Sequence, residues 1–260
     1  MTKRKLIVAA NWKMFMGPSD GAQLARDIVD VCQSISSADV VICPPFVSLT
    51  EVRSVIEGTG IKLGAQNIFW QPDEGPYTGE ISAQMISGWC DYVIVGHSER
   101  RKYFEETDDI VNKKINAGLQ NGLKVIICVG ESLSENNAGD TNSVIERQVR
   151  SAYKGVLYDD ALQTVVAYEP IWAIGTGYAS TPFAANRVCG KYVRATLEKI
   201  YGYEVSQAIR IQYGGSINRS NISEFIVQTE IDGVLIGGAS LAVEEFEAIL
   251  TAVYRQTASD

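Results

Sequence analysis

From residue 6 to residue 236 the sequence repeats one unit eight times: a short run rich in Val and Ile, then a stretch with helix signals. The runs are Leu6–Ala10, Val40–Cys43, Ile61–Ala65, Tyr92–Val95, Leu123–Val129, Thr164–Tyr168, Ile209–Tyr213 and Gly233–Ile236. They do not alternate with polar residues, which suits parallel strands buried on both faces. Between them, Ser19–Ser34 puts Leu24, Ile28 and Val31 on one helical face, and Arg100–Gly118 is highly charged and ends at a glycine. Thr181 and Pro182 supply a cap and a first-turn proline for a helix to about Tyr201; Asn218–Gln228 and Val243–Tyr254 complete the set. Eight such units predict an α/β fold, a single (β/α)8 barrel with a parallel eight-stranded core. The rival, a doubly wound open sheet, requires a Gly-rich dinucleotide turn after its first strand. The first run is followed instead by Asn11-Trp12-Lys13-Met14. No linker or compositional break divides residues 1–260, so one barrel domain is expected. Gln66–Glu80, with Trp70, Pro72, Pro76 and Tyr77, reads as neither strand nor helix, and a loop that long is usually functional or an interaction element.

An apolar fraction of 46% is that of an ordinary globular protein. The net charge of −8 argues against nucleic acid or an anionic membrane as the main partner, though not against a small anion at a local cluster. The five cysteines show no CxxC spacing and there is one histidine, so no zinc site is expected. Buried reduced thiols in a cytoplasmic protein are the expectation. No apolar run is long enough to span a bilayer, and Leu6–Ala10 is too short for a signal peptide. Asn218-Arg-Ser and Asn221-Ile-Ser match the glycosylation pattern; helix capping after a glycine turn is the expected use.

A barrel of this kind carries its active site at the C-terminal ends of its strands. The unusual residues all fall there: Asn11 and Lys13 after run one, His97 after run four, Glu169 after run six, Ser216 after run seven, Gly237 and Gly238 after run eight. A lone strand-end glutamate commonly pairs with a surface cation. What marks Glu169 as a general base is the segment behind it, Pro170 to Ala179, which carries Trp172, Gly175, Thr176 and Gly177 and reads as a hinged lid. His97 is either a satisfied strand-end histidine or an electrophile. Ser98-Glu99-Arg100-Arg101 begins a helix, whose N-terminus would lower the imidazole pKa and keep it neutral. Lys13 alternates with Trp12 and Met14, which fixes its direction relative to theirs; pointed into the cleft it supplies positive charge for an anion. Gly-Gly pairs usually just turn the chain, but loops after strands seven and eight commonly cradle phosphate, and Ser216 adds a hydroxyl.

Ala-Asn11-Trp-Lys13-Met, Gly-His97-Ser-Glu-Arg-Arg, Ala-Tyr-Glu169-Pro-Ile-Trp-Ala-Ile-Gly-Thr-Gly177, Tyr-Gly-Gly-Ser216 and Ile-Gly237-Gly-Ala-Ser-Leu together closely resemble the triosephosphate isomerase family, in its order and over nearly the whole chain. That family gives the TIM barrel its name and is a standard example of a tuned acid–base pair under a closing lid, so these assignments are the family's. The resemblance implies an isomerase, a step of glycolysis and gluconeogenesis, interconverting dihydroxyacetone phosphate and D-glyceraldehyde 3-phosphate through an enediolate. Glu169 would move the carbon-bound proton, neutral His97 would polarise the carbonyl and shuttle protons between oxygens, and Lys13 and Asn11 would stabilise negative charge. The backbone at Gly175, Ser216, Gly237 and Gly238 would hold phosphate, with Glu99 and Cys128 in supporting positions. No metal or cofactor is implied. A homodimer is implied through the loop Gln66–Glu80, with Thr78 near Asn11 and Lys13 of the twin subunit. Trp172 would anchor the lid near Glu131, and the closed lid would keep the intermediate from losing phosphate to give methylglyoxal. Two residues depart from the family's habit: Tyr178, where lysine is common, and Phe15, where a small polar residue is usual. The alternatives are another phosphate-binding barrel enzyme, which has no reason to combine these residues, and a non-catalytic barrel scaffold, which needs a lost catalytic group.

Overall fold

The computed structural model describes residues 4–32, 37–174 and 180–258. Eight strands, β1 (Leu6–Asn11), β2 (Ala38–Cys43), β3 (Lys62–Ala65), β4 (Tyr92–Val95), β5 (Lys124–Val129), β6 (Thr164–Tyr168), β7 (Arg210–Tyr213) and β8 (Gly233–Ile236), close into a parallel barrel in chain order. β1 pairs with β2 on one side and β8 on the other, so the sheet has no free edge. Every expected run is a strand, shifted by at most two residues at an end.

The lack of polar alternation has its predicted cause. Along β1, Ile7 and Ala9 face the barrel interior, while Val8 and Ala10 pack under the helices. Both sets are buried, and each fully buried Val or Ile contributes about 1.5–3 kcal/mol. The interior is filled by side chains such as Val41, Tyr92, Ile94, Ile126 and Val165, so the barrel is a packed core. At its lower end Arg210 spans the interior, donating to Asp39 Oδ2 at 2.7 Å and to the Tyr92 hydroxyl at 3.2 Å.

The helices follow the expected pattern with three corrections. The stretch Arg100–Gly118 is two helices, Ser98–Tyr103 and Asp108–Gln120. Glu105 takes a positive φ of 54° between them, and the Thr107 hydroxyl caps the second by accepting from Ile110 N–H at 3.3 Å. Gly118 does not end that helix. It lies inside it, where a side chain would crowd Val125, and the chain turns at Gly122 instead. The segment from Pro182 to Tyr201 starts as expected, with Thr181 Oγ1 accepting from Ala184 N–H at 3.1 Å, but widens to a π-helix over Cys189–Arg194. Asn218–Gln228 holds only the short helix Ile222–Ile226. Its asparagines do not cap it with side-chain bonds. Asn221 Nδ2 donates to Ser216 O at 3.1 Å and its Oδ1 accepts from Asn218 N–H at 3.0 Å, so they staple the loop after β7.

Residues 66–80 form no helix or strand. Phe69, Trp70 and Tyr77 pack against one another at tilted angles, with ring centroids 4.8 to 6.3 Å apart, and Lys113 lies over Trp70. The rings therefore cover each other rather than forming one open patch. No helix among the described residues is long and apolar enough to cross a membrane, and all five cysteines are free thiols.

Candidate active site

The strand ends converge on a cleft of about 240 Å³ lined by Asn11, Lys13, His97, Glu169, Ser216 and the Gly237–Gly238 pair. Gly175, Thr176, Gly177 and Tyr178 lie outside the described residues.

Lys13 is not on a strand. β1 ends at Asn11, whose Oδ1 accepts from Lys13 N–H at 2.9 Å, and Lys13 adopts the left-handed conformation at φ 51°. This turn, rather than an apolar–polar alternation, aims the side chain. Trp12 is fully buried on one side of it and Met14 fully exposed on the other. Gln66 fastens the turn: its Nε2 donates to Lys13 O at 2.8 Å and to Cys43 O at 2.9 Å. Lys13 Nζ then donates to Glu99 Oε1 at 2.6 Å, which gives Glu99 a geometric role as the lysine's partner.

His97 is buried and caps the short helix Ser98–Tyr103, its Nδ1 accepting from Glu99 N–H at 3.3 Å. An acceptor Nδ1 carries no proton, so the neutral tautomer that satisfies this bond has its proton on Nε2. Nε2 lies 3.1 Å from Glu169 Oε1. The expected lowering of the His97 pKa is corrected here. Burial is the largest single influence and presses it down, but the charge and hydrogen bond of Glu169, with the Glu99 charge, together raise it against burial and Lys13.

Glu169 follows β6 and is 2 % exposed. Burial alone would raise its pKa. The His97 ring, a 3.1 Å bond from Ser98 N–H to Oε2, and Lys13 together hold it below the usual carboxylate range. The carboxylate is thus ionised although almost wholly buried, as a general base must be. Bare backbone makes room for it, since a Cβ on Gly214 would stand 2.8 Å from Glu169 Cγ. Cys128 lies beneath, its thiol pushed well up by burial and then by the Glu169 charge, so it stays protonated packing.

Both flanks of residues 175–179 are tied down. On one side Trp172 Nε1 donates to Glu131 Oε1 at 2.9 Å, and Tyr168 Oη and Asn136 Nδ2 donate to the same oxygen at 3.1 Å. Ile171 N–H donates to Glu131 O at 3.1 Å. On the other side Ser180 N–H donates to Tyr213 Oη at 3.2 Å. That hydroxyl passes over Gly215, where a Cβ would lie 2.2 Å away. The sequence marks Gly214 and Gly215 as a turn and part of a phosphate cradle; their bareness also admits Glu169 and Tyr213. Gln66 opens the long loop and Tyr213 stands in the Tyr-Gly-Gly-Ser216 motif, but no sequence signal pointed to the bonds they make here.

The family description that matches residues 6–253 is "Triosephosphate isomerase". Triosephosphate isomerases from Caldanaerobacter subterraneus subsp. tengcongensis and Thermoanaerobacter pseudethanolicus are each 50% identical over 248 residues, covering 95% of this chain and 99% of the relative. That from Dictyoglomus thermophilum is 47% identical over 244 residues, covering 94% and 97%. The cleft, the barrel and these relatives agree: the chain belongs to the triosephosphate isomerase family, an isomerase acting on a phosphorylated triose.

Proposed function

We propose that Glu169, His97, Lys13 and Asn11 carry the interconversion of dihydroxyacetone phosphate and D-glyceraldehyde 3-phosphate in this cleft. The observation that supports it best is one continuous chain of contacts, Lys13 to Glu99 to His97 to Glu169, around a single cleft. Glu169 takes a proton from the carbon beside the carbonyl, and the electron pair left behind forms the enediolate. His97 Nε2–H donates to the oxygen that gains charge, then moves the proton between the two oxygens. Glu169 returns its proton to the neighbouring carbon. Lys13 and Asn11 stabilise the developing charge as preorganised donors. The substrate enters between Glu169 and His97, exchanging their mutual bond for bonds to itself.

The backbone of Ser216, Gly237 and Gly238 is suited to the phosphate, with Gly175 joining from the lid. The lid spans Pro170 to Ala179, its flanks held by Glu131 and Tyr213. No electrons leave the substrate, so the chemistry calls for no redox cofactor, and His97, Lys13 and Asn11 supply the polarisation and charge stabilisation that a metal would otherwise provide. The chain works as one barrel domain over residues 1–260, in the cytoplasm, which suits its five free thiols. It pairs as a homodimer through residues 66–80. Tyr77 is 37% exposed there, and Met14 and Phe15 beside Lys13 are 94% and 57% exposed, which is apolar surface for a partner to cover.

The test is an isomerase assay coupled to NADH oxidation, repeated in D₂O. Turnover with deuterium entering the carbon beside the carbonyl is expected. Turnover without exchange, by direct hydride transfer, would sink the general-base role; no turnover would sink the whole reading. Sedimentation at micromolar protein should show a dimer, and a fully active monomer would refute the assembly.

A further inference from the structure

Gly130 stands where β5 loses a neighbour. On the β6 side the ladder runs on past both strands: Glu169 N–H donates to Val129 O at 2.7 Å and Ile171 N–H to Glu131 O at 3.1 Å. Successive residues of a strand turn their peptide groups to opposite sides, so those of Gly130 face β4. The last β4–β5 register pair is Val95 with Ile127, and β4 ends there. No strand remains to receive the Gly130 groups, and a buried peptide left unpaired is costly.

One side chain satisfies both. Gly130 N–H donates to Gln148 Oε1 at 2.7 Å, and Gln148 Nε2 donates to Gly130 O at 3.1 Å, all buried. A primary amide offers one acceptor and one donor in a plane, as a peptide does, so Gln148 stands in for the missing strand. This explains a glutamine on the apolar face of the helix Thr141–Ala152, among Val144, Ile145 and Val149.

On its other side Gly130 abuts Glu169. A Cβ on Gly130 would lie 1.7 Å from Glu169 O, so the two main chains touch with no side chain between. Wherever Gly130 sits, the Glu169 main chain sits with it, and the carboxylate follows.

We propose that Gln148 is a positioning residue for Glu169, fixing the base through Gly130. The proposal rests on the reading of Glu169 as the base. An error of 1 Å in such a group can cost on the order of 10²-fold in rate.

The test compares Gln148→Met, which fills the same volume without the amide, and Gln148→Asn, which retracts it. The control is Val149→Ala, a buried position of the same helix with no bond to Gly130. Turnover, KM and affinity for glycerol 3-phosphate are measured well below each variant's Tm. Both Gln148 variants should lose about 10- to 100-fold in kcat, with KM and glycerol 3-phosphate affinity within about two-fold of the parent. Val149→Ala should lose stability and keep kcat. A folded Gln148 variant with kcat within about two-fold of the parent overturns the proposal, as does a loss confined to KM. If neither Gln148 variant folds while Val149→Ala does, Gln148 serves the fold alone and the proposal is also overturned. Glu169→Gln is measured in parallel. If it stays active, the base assignment fails; if it is dead while the Gln148 variants are fully active, only the positioning claim fails.

Discussion

Glu169 Oε1 and His97 Nε2 lie 3.1 Å apart, and each group shifts the titration of the other. Burial raises the Glu169 pKa, but His97 above all, then Ser98 N–H and Lys13, bring it below its ordinary value of 4.5. A carboxylate lowered in the folded state stabilises the fold above its unfolded pKa, and that contribution is lost as pH falls through the lower folded value. His97 has the opposite sign. Raised above 6.5, its contribution is complete below that pH and is lost as pH rises through the folded value. Carbon-13 NMR of labelled glutamate should find Glu169 titrating below 4.5, and His97→Gln should move it upward. A parent Glu169 titrating above 4.5 would contradict the pairing.

Lys13 Nζ is held by Glu99, in a turn that Asn11 and Gln66 lock. It is a preorganised charge, and losing one such group costs roughly 10²–10³-fold in turnover. Lys13→Ala should show a loss of this size in the coupled assay, with weaker binding of glycerol 3-phosphate. Gln66→Ala frees the turn without removing the charge, so a smaller loss is expected. Parent-like turnover in Lys13→Ala would remove it from the mechanism.

Lys114 and Glu106 form a buried pair, Nζ to Oε1 at 2.5 Å, and Lys114 also donates to Asn67 Oδ1 at 2.7 Å. Arg100 Nε reaches the same carboxylate oxygen at 2.5 Å. The root of the 66–80 loop is thereby pinned to the helix Asp108–Gln120. Burial lowers the Lys114 pKa, opposed by Glu106. Glu106→Gln leaves a buried cation without its counter-charge and should cost about 3–5 kcal/mol by urea unfolding. Adding Lys114→Met should recover part of this. A cost under about 1 kcal/mol for the single change would show that the pair is not needed.

The barrel was legible because every strand is buried on both faces, which leaves uninterrupted apolar runs such as Val93 to Val95. The break at 104–107 was not legible, since it holds no glycine or proline and the positive φ falls on Glu105, a residue type that rarely adopts it. His97 and Glu169 stood out by type and by strand-end position. The titration of His97 did not, because it depends on a carboxylate 72 positions away whose distance only the closed barrel fixes. Gln66 in a loop looks like any polar residue. Gln148 left a faint trace, a polar side chain at the apolar spacing of its helix.

Glu169→Asp separates a base from a merely charged neighbour. The carboxylate is kept and withdrawn by about 1 Å, which predicts a fall in kcat on the order of 10²-fold with KM little changed. Turnover within about two-fold of the parent would show that Glu169 is not the base.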